Sequence, residues 1–421
     1  MVDRQTSLDG MLDSENGNPG YRALNDADRA LARAILNTSL RHLPRIQAII
    51  DSLVETPLPE GARSLYHLLT VASAQILYLD VPDHSAVDIA VEQARSDPRS
   101  RRFAGLVNAV LRRLAREKVP HLTATHVIPV IPPWFYERLE QIYGRDHAFR
   151  IAESLLAPAA IDLTVKSEPD VWAEKLGGAV LPTGSVRLTA FSGKVPDLEG
   201  FSDGEWWVQD AAAAIPAKLF PALAGKAVAD LCAAPGGKTA QLALAGARVT
   251  ALDQSKSRLK RLESNLTRLG LSAKTAETNL LDFRPDELFD AVLLDAPCSS
   301  TGTIRRHPDV LWTKGPADIE KLALLQERLL RHATTLVKPG GYLVFSNCSL
   351  DPREGEEVTA SVLADHPDWS RVPINPARWP GLEEAVSPLG EFRTTPAMLP
   401  GGEAVAGGLD GFYAVLLQRQ A

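Results

Sequence analysis

Three short stretches of this chain join reactive side chains to apolar runs. They read Asp230-Leu-Cys-Ala-Ala-Pro-Gly-Gly-Lys-Thr239, Asp295-Ala-Pro-Cys298-Ser and Ser346-Asn-Cys348-Ser. A single cysteine of this kind reads as a buried structural residue. Two, each just past an apolar run and one of them beside an aspartate, suit covalent activation of a substrate by a thiolate. The first stretch suits a nucleoside cofactor. Its glycines let backbone approach a ligand closely, and the start of the following helix offers free N–H groups. It is not a Walker loop, because Ala-Ala-Pro stands where the earlier glycine is needed, and it is not G-x-G-x-x-G. The next apolar run, Ala247 to Leu252, ends in Asp253, where an acid would meet ribose hydroxyls.

Strands must carry these groups. Apolar runs place strands at 227–231, 247–252, 275–279, 290–295, 342–346 and 412–418. Helices alternate with them, at 238–245, 256–269 and 318–337. The pattern predicts an α/β fold, a doubly wound and mostly parallel sheet spanning 221–421 with ligands at the carboxyl ends of its strands. Residues 1–120 carry five apolar stripes at helical spacing, around Leu31–Leu40, Ile46–Leu53, Leu65–Leu77, Ala86–Ala94 and Phe103–Leu114. They predict an all-helical bundle. Between them, 121–220 is a connector. A helix opens at Pro132-Pro133 and reaches about Leu156, and a small α+β unit has strands at 162–166 and 185–188. Trp206 and Trp207 lead toward a helix ending near Phe220, and such a pair is more often core than a base-stacking platform.

Composition bounds the partners. The 421 residues are 45% hydrophobic and 23% charged, as in a globular protein of two or three domains. No run approaches a membrane span, and the polar, acidic start is unlike a signal peptide, so a cytoplasmic protein with no membrane partner is expected. A net charge of −7 excludes general electrostatic attraction to nucleic acid, so RNA binding would need a local basic patch. From Arg95 to Lys118, eight basic residues face two acids, a block suited to phosphates. Three cysteines make no disulfide framework, and no Cys/His cluster has zinc spacing, so no metal is expected.

On these motifs the chain resembles the RNA cytosine-5 methyltransferases that use S-adenosylmethionine. Specifically, it resembles the bacterial small-subunit ribosomal RNA members with an N-terminal domain similar to the antitermination factor NusB. Asp80-Val-Pro-Asp-His-Ser-Ala-Val-Asp88, Arg102-Phe-Ala-Gly-Leu-Val-Asn-Ala-Val-Leu-Arg-Arg113, Arg305-Arg306-His-Pro-Asp309 and Asp410-Gly-Phe-Tyr-Ala-Val-Leu extend the likeness over nearly the whole chain. The resemblance implies a Rossmann-like methyltransferase domain on 221–421 and a NusB-like domain on 1–120. It implies that S-adenosylmethionine is held by Cys232, Ala233, Ala234, Pro235, Gly236, Gly237, Lys238, Asp253, Arg258 and Asp295, with either Asn279 or Asp282. RNA would be met by Arg101, Arg102, Arg112, Arg113, Arg305 and Arg306.

Cytosine C5 is too weak a nucleophile to take a methyl group unaided, and a thiolate added at C6 activates it. The resemblance gives that attack to Cys348, release of the adduct to Cys298, recognition of the N3/N4 edge to Asp295, and a supporting cation to Lys238. Asn347 stands where the family usually has Thr, and Asn279 where an acid often meets adenosine. The expected substrate is 16S ribosomal RNA, methylated by a monomer. Competing readings are a tRNA or 23S rRNA substrate, a DNA cytosine-5 methyltransferase attacking through Cys298, and a non-catalytic RNA-binding factor.

Overall fold

The apolar runs between 225 and 421 hydrogen-bond into one sheet. A computed structural model of the chain describes residues 6–13, 16–156, 159–188, 191, 193–399 and 407–421. They divide into two compact units: residues up to Leu156 together with His307–Thr313, and residues 157–306 with 314–421.

The second unit holds two sheets. The smaller comprises β1 (Asp162–Val165), β2 (Gly178–Val180), β3 (Val186–Leu188) and β4 (Trp206–Val208), antiparallel in the order β2-β3-β1-β4. The larger comprises β5 (Ala227–Leu231), β6 (Arg248–Asp253), β7 (Lys274–Glu277), β8 (Phe289–Asp295), β9 (Val337–Asn347), β10 (Trp369–Arg371), β11 (Phe392–Thr394) and β12 (Phe412–Arg419). Its order is β10-β12-β9-β8-β5-β6-β7, with β11 also on β12. β7, β6, β5, β8 and β9 run parallel, and β12 adds antiparallel to β9. The chain's direction of travel across the sheet reverses between β5 and β8, and such switch points open a crevice beyond the strands' carboxyl ends.

These strands read as continuous apolar runs because both faces are covered. Ala229, Leu231, Val292, Leu294, Leu343 and Phe345 pack on one face, and Val228, Ala291, Leu293 and Val344 on the other. Trp206 and Trp207 are buried, so the pair is core.

The first unit is helical. Helices Asp26–Arg41, Leu43–Leu53, Arg63–Tyr78, Asp83–Ser96 and Ala104–Arg116 fall on the five apolar stripes. Their core is built from Ile46, Ile50, Leu69, Ile76, Val107 and Leu111. The helix expected from Pro133 to about Leu156 is two, Pro133–Tyr143 and Arg145–Glu153, broken at Gly144. His307–Thr313 packs into this unit: Asp309 accepts a hydrogen bond from the Leu8 amide at 2.9 Å, and the Trp312 indole donates to the Leu40 carbonyl at 3.1 Å. No helix among the described residues is long and apolar enough to cross a membrane.

Candidate active site

β5 delivers the glycine turn. Its last residue, Leu231, is buried, and the chain then turns sharply through Cys232, whose φ is 64°. The Ala233 amide bonds to the Leu252 carbonyl at 2.8 Å, which fixes the turn against β6. At Gly236, φ is 104°, and a Cβ there would stand 2.9 Å from the Leu262 side chain, so only glycine fits. The helix Gly237–Leu244 starts at once. Asp230 is buried beneath it, accepting from Thr239 Oγ1 at 2.6 Å with its other oxygen unpartnered. Burial pushes its carboxyl up to about 7.

The turn borders a cavity of about 250 Å3. Cys232, Ala234, Asp253, Arg258, Asn279 and Asp295 line it, as do Cys298 and Cys348. Asp253 is almost wholly buried and accepts from the Ala234 amide at 3.3 Å and the Ser255 amide at 3.0 Å. Arg258 Nη1 lies 3.5 Å from it. Of the two candidates for the adenosine contact, Asn279 lines the cavity and Asp282 does not. Ala233, Pro235, Gly236, Gly237 and Lys238 shape the turn without lining this space. Gln254, Thr278, Leu281, Leu325 and Leu329 also line it. Sequence reading missed these five; Gln254 beside Asp253 and Thr278 beside Asn279 could have been found from strand-end position alone. The lining groups fit a nucleoside joined to a cation: carboxylates at Asp253 and Asp295, amides at Gln254 and Asn279, and a leucine wall for a base. Burial pushes the Cys232 thiol up to about 12, so it lines the cavity as a neutral group.

β8 and β9 deliver the reactive groups. Asp295 ends β8 and lies in register with Ser346 on β9. Ser346 Oγ donates to Asp295 Oδ1 at 2.9 Å, and Lys238 Nζ donates to Oδ2 at 2.6 Å. Lys238 also sits 4.8 Å from the centre of the Phe412 ring. The two thiols meet beside them. Cys298 Sγ and Cys348 Sγ are 3.4 Å apart, both partly buried, with Ser300 Oγ 3.6 Å from the Cys348 sulfur. Hydrogen bonding to Cys348 and burial push the Cys298 thiol well above its usual value. Asn347, where Thr is usual, is fully buried. Its Oδ1 accepts from the Ser349 amide at 3.0 Å and its Nδ2 donates to the Glu354 carbonyl, so it holds the turn that presents Cys348. The roles of Ser300, Ser346 and Phe412 were not read from sequence, although Ser346 and Phe412 stand inside quoted motifs.

Residues 219–418 match the family described as 16S rRNA methyltransferase RsmB/F, and residues 2–116 match the NusB family. Ribosomal RNA small subunit methyltransferase B of Vibrio vulnificus is 34% identical, over 100% of this chain and 97% of that one. Its namesake in Vibrio cholerae is 34% identical over 93% and 90%. The chain belongs to the RsmB/F family. It is an S-adenosylmethionine-dependent RNA methyltransferase. Among solved structures, PH0851 shares the fold at a TM-score of 0.73 and 23% identity, over 95% of this chain and 92% of that one. A methyltransferase homologue from Pyrococcus horikoshii aligns at a TM-score of 0.56 and 27% identity, over 68% and 94%.

One RNA-contact expectation needs correction in this RsmB/F protein. Arg305 is only 1% exposed. It lies 3.3 Å from Asp210 and 3.2 Å from Asp410, and also donates to the Gly407 carbonyl. Two carboxylates withdraw it from any phosphate, and its work is to tie three loops together. Arg306 pairs with the same two acids but keeps part of its side chain exposed. Arg101, Arg102, Arg112 and Arg113 are exposed on the helical unit, with only surface partners such as Glu117 for Arg113 at 3.1 Å.

Proposed function

We propose that this protein methylates C5 of a cytosine in 16S ribosomal RNA in the cytoplasm, with Cys348 as nucleophile and Cys298 as the release thiol. The observation that carries this reading is the 3.4 Å approach of two thiols at neighbouring strand ends, beside a carboxylate fixed from both sides. S-adenosylmethionine, held by Asp253, Asn279, the Cys232–Ala234 backbone and the leucine wall, supplies an electrophilic methyl group. The chain's own residues do the rest. Cys348 adds to C6 as a thiolate, forming the S–C6 bond and moving electron density to C5. Asp295, oriented by Ser346 and Lys238, accepts from the N4 amine on the N3/N4 edge of the base, and the Lys238 ammonium beside it steadies the negative charge that develops on the ring. Once C5 carries the methyl group, a base takes the C5 proton, the C5–C6 double bond re-forms and the Cys348 sulfur leaves as a thiolate. Cys298, within hydrogen-bond reach of that sulfur, assists its departure. The target base must leave any stack to enter this site. Arg101, Arg102, Arg112 and Arg113 supply phosphate contacts from the helical unit.

The test is to offer the purified full-length protein and S-adenosylmethionine to protein-free 16S rRNA, 23S rRNA and tRNA, and to map 5-methylcytosine in each. The expected result is one modified cytosine, in 16S rRNA alone. Methylation confined to tRNA or 23S rRNA would overturn the substrate assignment.

A further inference from the structure

Glu354 is a fully buried carboxyl with no part in the chemistry above. Its Oε1 accepts from the Ser299 amide at 2.8 Å and from Gln326 Nε2 at 3.0 Å. Its Oε2 accepts from Ser349 Oγ at 2.6 Å and from Ser299 Oγ. Ser299 directly follows Cys298, and Ser349 directly follows Cys348. The residues preceding the thiols are reached as well: Asn347 donates to the Glu354 carbonyl, and Gln326 donates to the Pro297 carbonyl at 3.0 Å. So Glu354 and its partner Gln326 hold the chain on both sides of each sulfur. Burying a carboxyl is costly unless its oxygens are satisfied, and these four bonds satisfy it. A carboxyl serving one turn would need only that turn's donors. This one spans two loops whose common content is the thiol pair.

We propose that Glu354 is the positioning residue that sets the spacing of Cys298 and Cys348, clamping their two loops through Ser299 and Ser349. This rests on the reading of those cysteines as the working pair. With the clamp in place, the release thiol stays within reach of the sulfur it must help to free. Without it, either loop can move by an ångström, enough to lose that contact.

The test uses full-length Glu354→Ala, Glu354→Gln and Gln326→Leu, with two readouts. One is steady-state methylation of 16S rRNA. The other is the rate at which diamide, a two-electron thiol oxidant, joins Cys298 and Cys348 in a disulfide, followed by mass spectrometry. In that step the thiols lose two electrons and two protons, and diamide is reduced to its hydrazine. Glu354→Ala is expected to lower kcat by about 100-fold and to slow disulfide closure at least roughly tenfold, with KM for RNA and affinity for S-adenosylmethionine within about twofold. Glu354→Gln, whose oxygen can accept from the Ser299 amide and Gln326 while its NH2 donates to the Ser299 and Ser349 hydroxyls, is expected to restore both rates to within about threefold. Gln326→Leu should shift both in the same direction by less, and it carries the test if Glu354→Ala does not fold. A folded Glu354→Ala or Gln326→Leu with normal kcat and normal closure overturns the proposal. So does Glu354→Gln as impaired as Glu354→Ala, because charge would then matter and spacing would not. Failure of the underlying reading looks different: closure would still depend on Glu354 while Cys348→Ala went on methylating.

Discussion

At the residue scale, Asp253 does two jobs, bonding the glycine turn and lining the cavity. Asp253→Ala should weaken S-adenosylmethionine binding by roughly 1–3 kcal/mol, because ribose hydroxyls lose their acceptor. Calorimetry showing unchanged affinity would remove it from the site. His42 carries a pH prediction for the helical unit. Burial, with Arg41 and Arg45 nearby, lowers its imidazole from 6.5 to about 4, and the ring stacks on Tyr78 at 3.8 Å. As pH falls, the unfolded chain takes this proton first. The contribution is therefore whole above pH 6.5 and is lost as pH falls toward 4, amounting to about 3 kcal/mol at most. His42→Phe should remove that acid loss, read as hydrogen exchange of helix Leu43–Leu53 between pH 7 and 4.5. An unchanged acid profile in the variant would assign the loss to other groups. Position at or just past the ends of apolar runs singled out the thiols and Asp295 as candidates, and the family resemblance gave them their roles. Neither could tell Arg305 from Arg306. One is sealed between Asp210 and Asp410, and both acids are distant in sequence.

At the element scale, the loops after β8 and β9 and the chain entering β12 are held together by backbone contact. The Gly302 amide bonds to the Cys348 carbonyl at 2.9 Å, and the Gly411 amide bonds to the Gly302 carbonyl at 2.8 Å. A Cβ at Gly302 would stand 1.9 Å from the Gly411 oxygen, with no flexible side chain to yield. Gly302→Ala should therefore cost roughly 2–4 kcal/mol of stability and displace the Cys348 turn. A variant with normal melting and normal methylation would contradict this. In the helical unit, Ala104–Arg116 exposes Arg112 and Arg113. Replacing both by Ala should lower the salt slope of RNA binding by about 1–2 while leaving cofactor affinity unchanged. An identical slope would make this a solvated face. Periodicity made the parallel strands and the five long helices legible. It was silent on the antiparallel addition of β12 to β9 and on the break at Gly144, because strand direction and helix interruption depend on tertiary partners.

At the scale of the whole molecule, a chain of net charge −7 works on a polyanion, so its affinity must come from local basic faces rather than from its overall field. The motif Arg305-Arg306-His-Pro-Asp309 shows where linear reading stops. Its arginines pair with Asp210 and Asp410, while the segment from His307 onward packs against Leu8 and Leu40 of the helical unit. No local pattern could divide one motif between two units. The clamp at Glu354 was hidden for the same reason, since its four bonds come from three separate stretches of chain. The central claim is the division of labour between the thiols, and one experiment reaches it directly. Full-length protein, Cys298→Ala, Cys348→Ala and the double variant are incubated with 16S rRNA and S-adenosylmethionine, then run on a denaturing gel. Cys298→Ala should accumulate a denaturation-resistant protein–RNA adduct that is absent from Cys348→Ala and from the double variant. Cys348→Ala should lose several orders of magnitude in methylation rate yet still bind cofactor. An adduct that builds up in Cys348→Ala and vanishes in Cys298→Ala would reverse the two roles and contradict the mechanism.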